Sequence, residues 1–344
     1  MDSSNENSEH ESVRWGILST ARINRALIGP LRVSPRSELV GVASRDLDKS
    51  REYAERNRIP RAFGSYEELL ADPAIDAVYI SLPNHLHCQW TVAAAAAGKH
   101  VLCEKPMVLE LDEMDRVEVA AREHEVTICE AFMYLHHPQT RRLQEMVRSG
   151  RLGELQSLRS HFSFHLPASR ADNIRLQPDM GGGSLWDVGV YPVSFSVVLA
   201  DAGPPVEVSA IQRRGESGVD IAFEGQMRFD NEVVAQISSG FRRPLEWGAT
   251  LAGSERIARV DNPWKPGADG SDSTILLRDR ESAEEKVVIP AIDPYLCEVQ
   301  AMEACILDGA DPVVPLSRSR QFLQTVLALH ESAATGRPVA PPSG

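Results

Sequence analysis

With 344 residues, 42% of them hydrophobic, the chain is long enough to close two cores, and it carries no unbroken apolar run of membrane-spanning length. A formal charge of -13 argues against a broad nucleic-acid surface, because phosphate binding needs clustered Lys and Arg, and Arg141-Arg142, Arg213-Arg214 and Arg242-Arg243 each sit among mixed charges. The five cysteines are scattered and lack CxxC spacing, which fits reduced thiols in a cytoplasm rather than a disulfide framework.

Residues 1–12 are polar and acidic, without the succession of a signal or anchor, and are expected to form a disordered tail. Residues 13–18 read as a buried strand, followed by the turn Ser19-Thr20-Ala21-Arg22 and an apolar-periodic helix through Ile23, Ala26, Leu27 and Leu31. A β-branched run marks a second strand at 37–44, followed by a helix at 47–57. A short strand at 61–63 precedes a helix at 65–71, which Ser65 can cap. The strand 74–82 leads to residues 85–98, whose alanine run and terminal Gly98 predict a helix. A strand at 99–103, a helix at 108–122 and a strand at 126–130 complete six alternations. Such alternation predicts a doubly wound parallel sheet of Rossmann type, a dinucleotide-binding domain over residues 13–133.

The texture changes after Phe132. A helix at 138–149 stops at Gly150, and 155–166 reads as a strand with Arg159, His161, Ser163 and His165 on one face and Ser160, Phe162, Phe164 and Leu166 on the other. Further strands are expected at 206–213, 220–229, 232–241, 247–252, 257–260 and 285–289, and helices at 295–308 and 317–335. Residues 134–344 therefore read as an α+β domain with an open, mostly antiparallel sheet.

Lys105 follows the strand 99–103 directly and precedes Pro106. Ligands of open α/β sheets collect beyond the carboxyl ends of strands, which makes Lys105 a candidate catalytic group; the alternative is a surface lysine at a strand-to-helix corner. At the first turn, Gly16-Ile17-Leu18-Ser19-Thr20-Ala21-Arg22-Ile23 keeps one fingerprint glycine, with the small Ser19 and Ala21 leaving room for a pyrophosphate. The second strand ends in Ser44-Arg45 where a carboxylate would select NAD, so the arginine fork favours the 2'-phosphate of NADP, and Asp46 can turn away to cap the next helix.

These pieces, with Leu82-Pro83-Asn84-His85-Leu86-His87, Glu104-Lys105-Pro106, Glu130-Ala131-Phe132-Met133-Tyr134 and the stretch from Gly181 to Tyr191, resemble the glucose-fructose oxidoreductase and inositol dehydrogenase superfamily, Gfo/Idh/MocA. Within it the chain is similar to the branch of NADP-dependent D-xylose 1-dehydrogenases and dimeric dihydrodiol dehydrogenases. It departs from that branch at Leu135, where arginine is common, and carries Tyr191 where inositol dehydrogenases have histidine. The resemblance implies NADP, a small sugar or polyol substrate, and a homodimer or homotetramer formed through the second sheet. It also implies that Ser81, Leu82, Pro83, Asn84, His87, Glu104, Lys105 and Pro106 surround the cofactor.

Oxidising an alcohol with a nicotinamide needs a proton acceptor and a positive group for the developing alkoxide. Tyr191 is expected as the acid/base, with the Lys105 ammonium lowering its pKa, although the two roles are exchangeable. Asp187, four residues before Tyr191, can share its helix face and orient Lys105, or it can simply face the helix dipole. Gly181 to Gly183 offer close approach to the nicotinamide or a flexible turn. Phe164, His165 and Trp186 are candidate substrate contacts, with His161 and Trp264 as weaker ones; core packing is the competing role for the aromatic rings. No metal site is expected, since neither His85-x-His87-Cys88 nor His136-His137 has further ligands at workable spacing. The expected activity is oxidation of an aldopyranose such as D-xylose or D-glucose to its lactone; the alternatives are NADPH-dependent reduction of a ketosugar and a non-catalytic NADP-binding regulator.

Overall fold

A computed structural model describes residues 12–167, 170 and 172–342, so the expected tail lies outside the described residues except for Ser12. The first half runs β1 (Val13–Leu18), α1 (Asn24–Val33), β2 (Ser37–Ala43), α2 (Leu47–Arg56), β3 (Arg61–Phe63), α3 (Tyr66–Leu70), β4 (Ala77–Ile80), α4 (His87–Ala96), β5 (His100–Glu104), α5 (Leu111–Glu123) and β6 (Ile128–Ala131). The strands pair in parallel in the order β3-β2-β1-β4-β5-β6, which reverses direction between β1 and β4. Their continuous apolar character follows from burial on both faces, with Ile17, Leu18, Val78, Ile80 and Val101 wholly enclosed. The ligand-binding edge is therefore the carboxyl end of β1, β4 and β5.

Next come α6 (Met133–His136), α7 (Pro138–Arg148), β7 (Leu155–His165), a π turn at Leu185–Gly189, α8 (Val190–Ala200), β8 (Glu207–Arg214), β9 (Asp220–Arg228), β10 (Val234–Gly240), β11 (Arg242–Gly253), β12 (Arg256–Val260), β13 (Ser273–Asp279), β14 (Glu284–Ile289), α9 (Pro294–Asp308) and α10 (Leu316–Thr335). The second sheet has the order β14-β13-β12-β11-β7-β10-β9-β8 and is antiparallel except for the β7–β10 pair. Every residue of α8 is buried, so its unbroken apolarity is that of a core helix lying on the sheet.

The elements depart from the sequence reading mainly in two boundaries and one missed strand. The strand expected at 247–252 runs as β11 from Arg242, because its pairing with β7 resumes across an irregularity between Arg242 and Glu246. β13 was not expected; its alternation is real, but it is short and enters a charged hairpin at Asp279. The helix expected from 108 begins at Leu111, after a loop in which Leu109 donates its N–H to Glu113.

The last two helices return to the first domain. Ser34 and Ser37 donate to the Glu303 carboxylate of α9, and Arg320 of α10 grips Asp115 and Glu118 of α5. These contacts hold the two sheets in a defined relation and so define the cleft between them.

Candidate active site

Ser19 follows β1 at φ 117, and its hydroxyl lies 2.8 Å from that of Ser81 while accepting the N–H of Ala21 at 3.1 Å. Asn24 donates its amide to the Ser19 carbonyl, which closes the turn tightly. The helix that follows, α1, has no side-chain cap. An uncapped helix start at the strand-order reversal, with Ser19, Thr20 and Ala21 in the turn ahead of Arg22 and Ile23, is a fitting cradle for the pyrophosphate of a dinucleotide.

Beyond this turn opens a cavity of about 590 Å³. Ala21, Arg22, Ile23, Ser81, Leu82 and Asn84 line its first-sheet side. Phe162, Phe164, Leu245 and Trp247 form the wall contributed by the second sheet, with Ile174, Met180 and Tyr295 at its margins.

Lys105 and Asp187 meet between the two walls. The Lys105-Pro106 bond is cis, and the Lys105 ammonium donates to the backbone carbonyl of Asp187 and stands 3.5 Å from its carboxylate. The other carboxylate oxygen of Asp187 accepts Arg175 Nε at 2.6 Å. Burial pushes the Asp187 carboxyl up, but Lys105 and Arg175 outweigh it and hold the group below its ordinary value. Glu104, also on the cavity, accepts the Tyr79 hydroxyl; burial raises its pKa against the opposing pull of Lys105.

Tyr191 reaches the cavity from the first turn of α8, wedged among Phe132, Tyr134, Phe162 and Trp264. Lys105 stands over the face of its ring, not at its hydroxyl, whose nearest partner is Met133 Sδ at 3.9 Å. The expectation that Lys105 draws Tyr191 toward phenolate is thus corrected. Burial, with Tyr295, Glu104 and Asp187, pushes the hydroxyl well above its ordinary value, so it is held protonated.

Several other candidates are placed elsewhere. Gly16 lies inside β1 away from the cavity, and its missing Cβ makes room for Leu69, which would stand 2.7 Å from a Cβ there. Thr20, Pro83, Ser44 and Arg45 do not line the cavity; Ser44 accepts the Asp46 N–H, and exposed Arg45 lies beside Tyr66 at the end of β2. Asp46 caps α2, as anticipated. His87 does line the cavity, with its two ring nitrogens 2.7 Å from the carbonyl oxygens of Pro106 and Leu82, of which the neutral ring can donate to one. Pro106 itself faces the Glu130 side of the domain interface.

The substrate candidates divide. Phe164 lines the cavity, but His165 is the next residue of the strand and points to the exposed face. His161 shares that outer face, 3.9 Å from Glu246. Trp186 turns away to pack on His330 of α10, and Trp264 is fully buried. Leu135 is buried outside the cavity. Gly181 and Gly182 line the cavity, and the glycine run is also tightly packed: a Cβ on Gly182 would stand 2.7 Å from the carbonyl oxygens of Arg175 and Gln177, and one on Gly183 only 2.3 Å from Asp220. This close approach brings the loop of Arg175 onto Asp187.

Residues 13–132 match the family described as an oxidoreductase family with an NAD-binding Rossmann fold, GFO_IDH_MocA, and residues 140–259 match its C-terminal domain. A D-xylose 1-dehydrogenase (NADP(+)) of Haloferax volcanii is 38% identical over 94% of this chain and 98% of its own. The chain belongs to the Gfo/Idh/MocA oxidoreductase family. Human trans-1,2-dihydrobenzene-1,2-diol dehydrogenase is 32% identical over 74% of this chain and 76% of its own. A 3-ketoreductase from Actinomadura kijaniata, solved with NADP and TDP-benzene, superposes with a TM-score of 0.86 at 29% identity, covering 93% of this chain and 98% of that one.

As a Gfo/Idh/MocA oxidoreductase, the chain brings to the cavity side chains that had no place in the sequence reading, Arg175, Trp247, Lys265 and Tyr295 among them. Arg175 sits in a single 3-10 turn, capped by Asn173, that has no periodic signature. Tyr295 opens α9 just after the Asp293 cap, and only the return of that helix to the first domain aims it at the cleft.

Proposed function

We propose that the protein is an NADP-dependent oxidoreductase that moves hydride between the nicotinamide and a sugar or polyol, oxidising an aldopyranose such as D-xylose or D-glucose to its lactone. The observation that carries this reading is the convergence of Lys105, Asp187 and Tyr191 on one cavity, beside the uncapped start of α1. The Haloferax relative, named for D-xylose and NADP, supports the pyranose.

When bound, NADP supplies the acceptor or donor of hydride. Ala21, Arg22 and Ile23 would hold its pyrophosphate, Ser44 and Arg45 its 2'-phosphate, and Ser81, Leu82 and Asn84 the nicotinamide side. Phe162, Phe164 and Trp247 offer apolar faces to a sugar ring. Tyr191 keeps its proton and donates from Oη to the substrate oxygen; for oxidation Lys105 enters as the neutral amine and takes the hydroxyl proton on Nζ, and for reduction its ammonium gives that proton back. Asp187 fixes Lys105, and Arg175 fixes Asp187. The same elements support a homodimer or homotetramer through the open face of the second sheet, where Ile211 is 77% exposed.

The test is purified protein with NADP+ and a panel of aldoses and polyols, read by formation of reduced nicotinamide. No turnover across the panel, with NADPH consumed by ketosugars, would replace oxidation by the second reading, ketosugar reduction. The protonated Tyr191 phenol favours that second reading, since a carbonyl oxygen being reduced needs a proton donor. A non-catalytic regulator would instead keep its function in Lys105→Met.

A further inference from the structure

Lys265 lies on the loop between β12 and β13 and faces the same cavity as Lys105. The loop is a built one. Asn262 holds both backbone groups of Lys265, accepting its N–H at 3.0 Å and donating to its carbonyl at 2.9 Å, and Gln139 donates in turn to the Asn262 carbonyl. On the other side of Asn262 and Pro263, fully buried Trp264 anchors the loop in the core through a 3.0 Å hydrogen bond to the His161 carbonyl. The side chain of Lys265 is half-buried, and its direction is set by this frame.

Among the described residues the amine has no ion pair, and Glu104 is the carboxylate whose charge acts on it. Asp187 is shared by Lys105 and Arg175, and Glu104 is taken by Tyr79 with Lys105 beside it. Among the described residues, the Lys265 amine makes no hydrogen bond or ion pair. Burial pushes its pKa down, Lys105 pushes it further down, and Glu104 opposes them. Three cations, Lys105, Arg175 and Lys265, thus face two carboxylates in the substrate half of the cleft. A partly buried ammonium with no partner is costly unless a ligand completes it.

We infer that Lys265 is a specificity-determining residue that binds a carboxylate on the substrate, so that the preferred substrates are acidic sugars of the uronate class. This rests on the proposed sugar oxidoreductase function and names its substrate class. The reacting hydroxyl sits at Lys105 and Tyr191, and the carboxylate at the far end of the sugar ring meets the Lys265 amine. The redox step is unchanged: NADP+, when bound, would accept the C–H hydride, Lys105 as the neutral amine takes the hydroxyl proton and becomes the ammonium, and the substrate carboxylate takes no part.

The experiment compares kcat/KM with NADP+ for D-glucuronate against D-glucose and for D-galacturonate against D-galactose, in wild type, Lys265→Met and Lys265→Arg. The wild type is expected to favour the uronate of each pair. Lys265→Met should lower the uronate-to-aldose ratio roughly ten- to a hundredfold, the loss appearing in KM, as expected for a charge-assisted hydrogen bond. Lys265→Arg should retain most of the ratio. If Lys265→Met does not fold, Lys265→Gln against Lys265→Arg gives the same comparison, and thermal stabilisation of the NADP+-loaded protein by D-glucuronate provides a readout independent of turnover. A wild type that favours the neutral sugars, or a ratio that does not move on loss of the charge, overturns the assignment while leaving the proposed oxidoreductase standing. Turnover of no sugar with either form of the cofactor overturns both.

Discussion

The Lys105 ammonium stands 5.1 Å from the centroid of the Tyr191 ring, over its face. A cation in that position is attracted by the ring's quadrupole, but it does little to stabilise a charge on the phenolic oxygen. On the proposed mechanism, Tyr191 is the hydrogen-bond donor and Lys105 handles the proton. We expect Lys105→Met to lower kcat/KM by roughly 10²- to 10⁴-fold, the range for losing a general acid–base group. Tyr191→Phe should cost only roughly ten- to a hundredfold, as for one donor to a developing charge. Steady-state kinetics on the same sugar and cofactor rank the two; an equal or larger loss in Tyr191→Phe would return the acid–base role to the tyrosine.

On the proposed mechanism Arg175 is a positioning residue that works through Asp187, whose carboxylate it holds at 2.6 Å. With the guanidinium gone, one Asp187 oxygen loses its charge-assisted bond and the carboxylate is free to rotate away from Lys105. Arg175→Ala should reduce kcat/KM roughly tenfold or more, and Arg175→Lys should recover little of it, because the amine lacks the planar fork.

Cofactor choice is expected to rest on Arg45, exposed at the end of β2. Arg45→Ala should raise KM for NADP+ roughly ten- to a hundredfold, the worth of an ionic hydrogen bond, and leave KM for NAD+ nearly unchanged. Initial rates with both cofactors check this, and an unaltered NADP+ preference would place the 2'-phosphate elsewhere.

Gly183 has φ 125, and a Cβ on it would stand 2.3 Å from an oxygen of Asp220, the carboxylate that accepts Ser184 Oγ and the Leu185 N–H. Gly183→Ala should destabilise the fold by roughly 1–3 kcal/mol through strain and displacement of that carboxylate, read as a lowered denaturant midpoint.

Glu130, buried at the domain interface, accepts the Met107 N–H, and burial pushes its pKa up from 4.5 to about 7. A carboxyl with a raised folded-state value holds its proton better in the native than in the unfolded chain. Its contribution is therefore fully present below pH 4.5 and is lost as pH rises toward 7. Glu130→Gln should remove this decline, which is worth at most about 3 kcal/mol at ~1.4 kcal/mol per unit. Thermal melts of both proteins from pH 4.5 to 8 would show it as a difference in slope.

Much of the fold was legible in the chain because its signals are local. The alternation of buried strands and capped or glycine-stopped helices over residues 13–133 needs no distant contact to be read, and the six-stranded parallel sheet follows it closely. Lys105 at a strand end, Asp187 and Tyr191 one helical turn apart, and the small-residue turn at Ser19 were visible for the same reason. Residues whose role depends on what faces them were not. Gly16 reads as a phosphate-loop glycine until Leu69 is seen filling its missing side chain. Strand alternation separates Phe164 from His165, but only the second sheet's packing decides which of those faces meets the cleft. Arg175, Lys265 and Tyr295 come from a single turn, a loop and a returning helix far apart in sequence. Their convergence on Lys105 follows from long-range packing, and the charge balance of the site, with Lys265 left over, exists only once that packing has brought the groups within reach of one another.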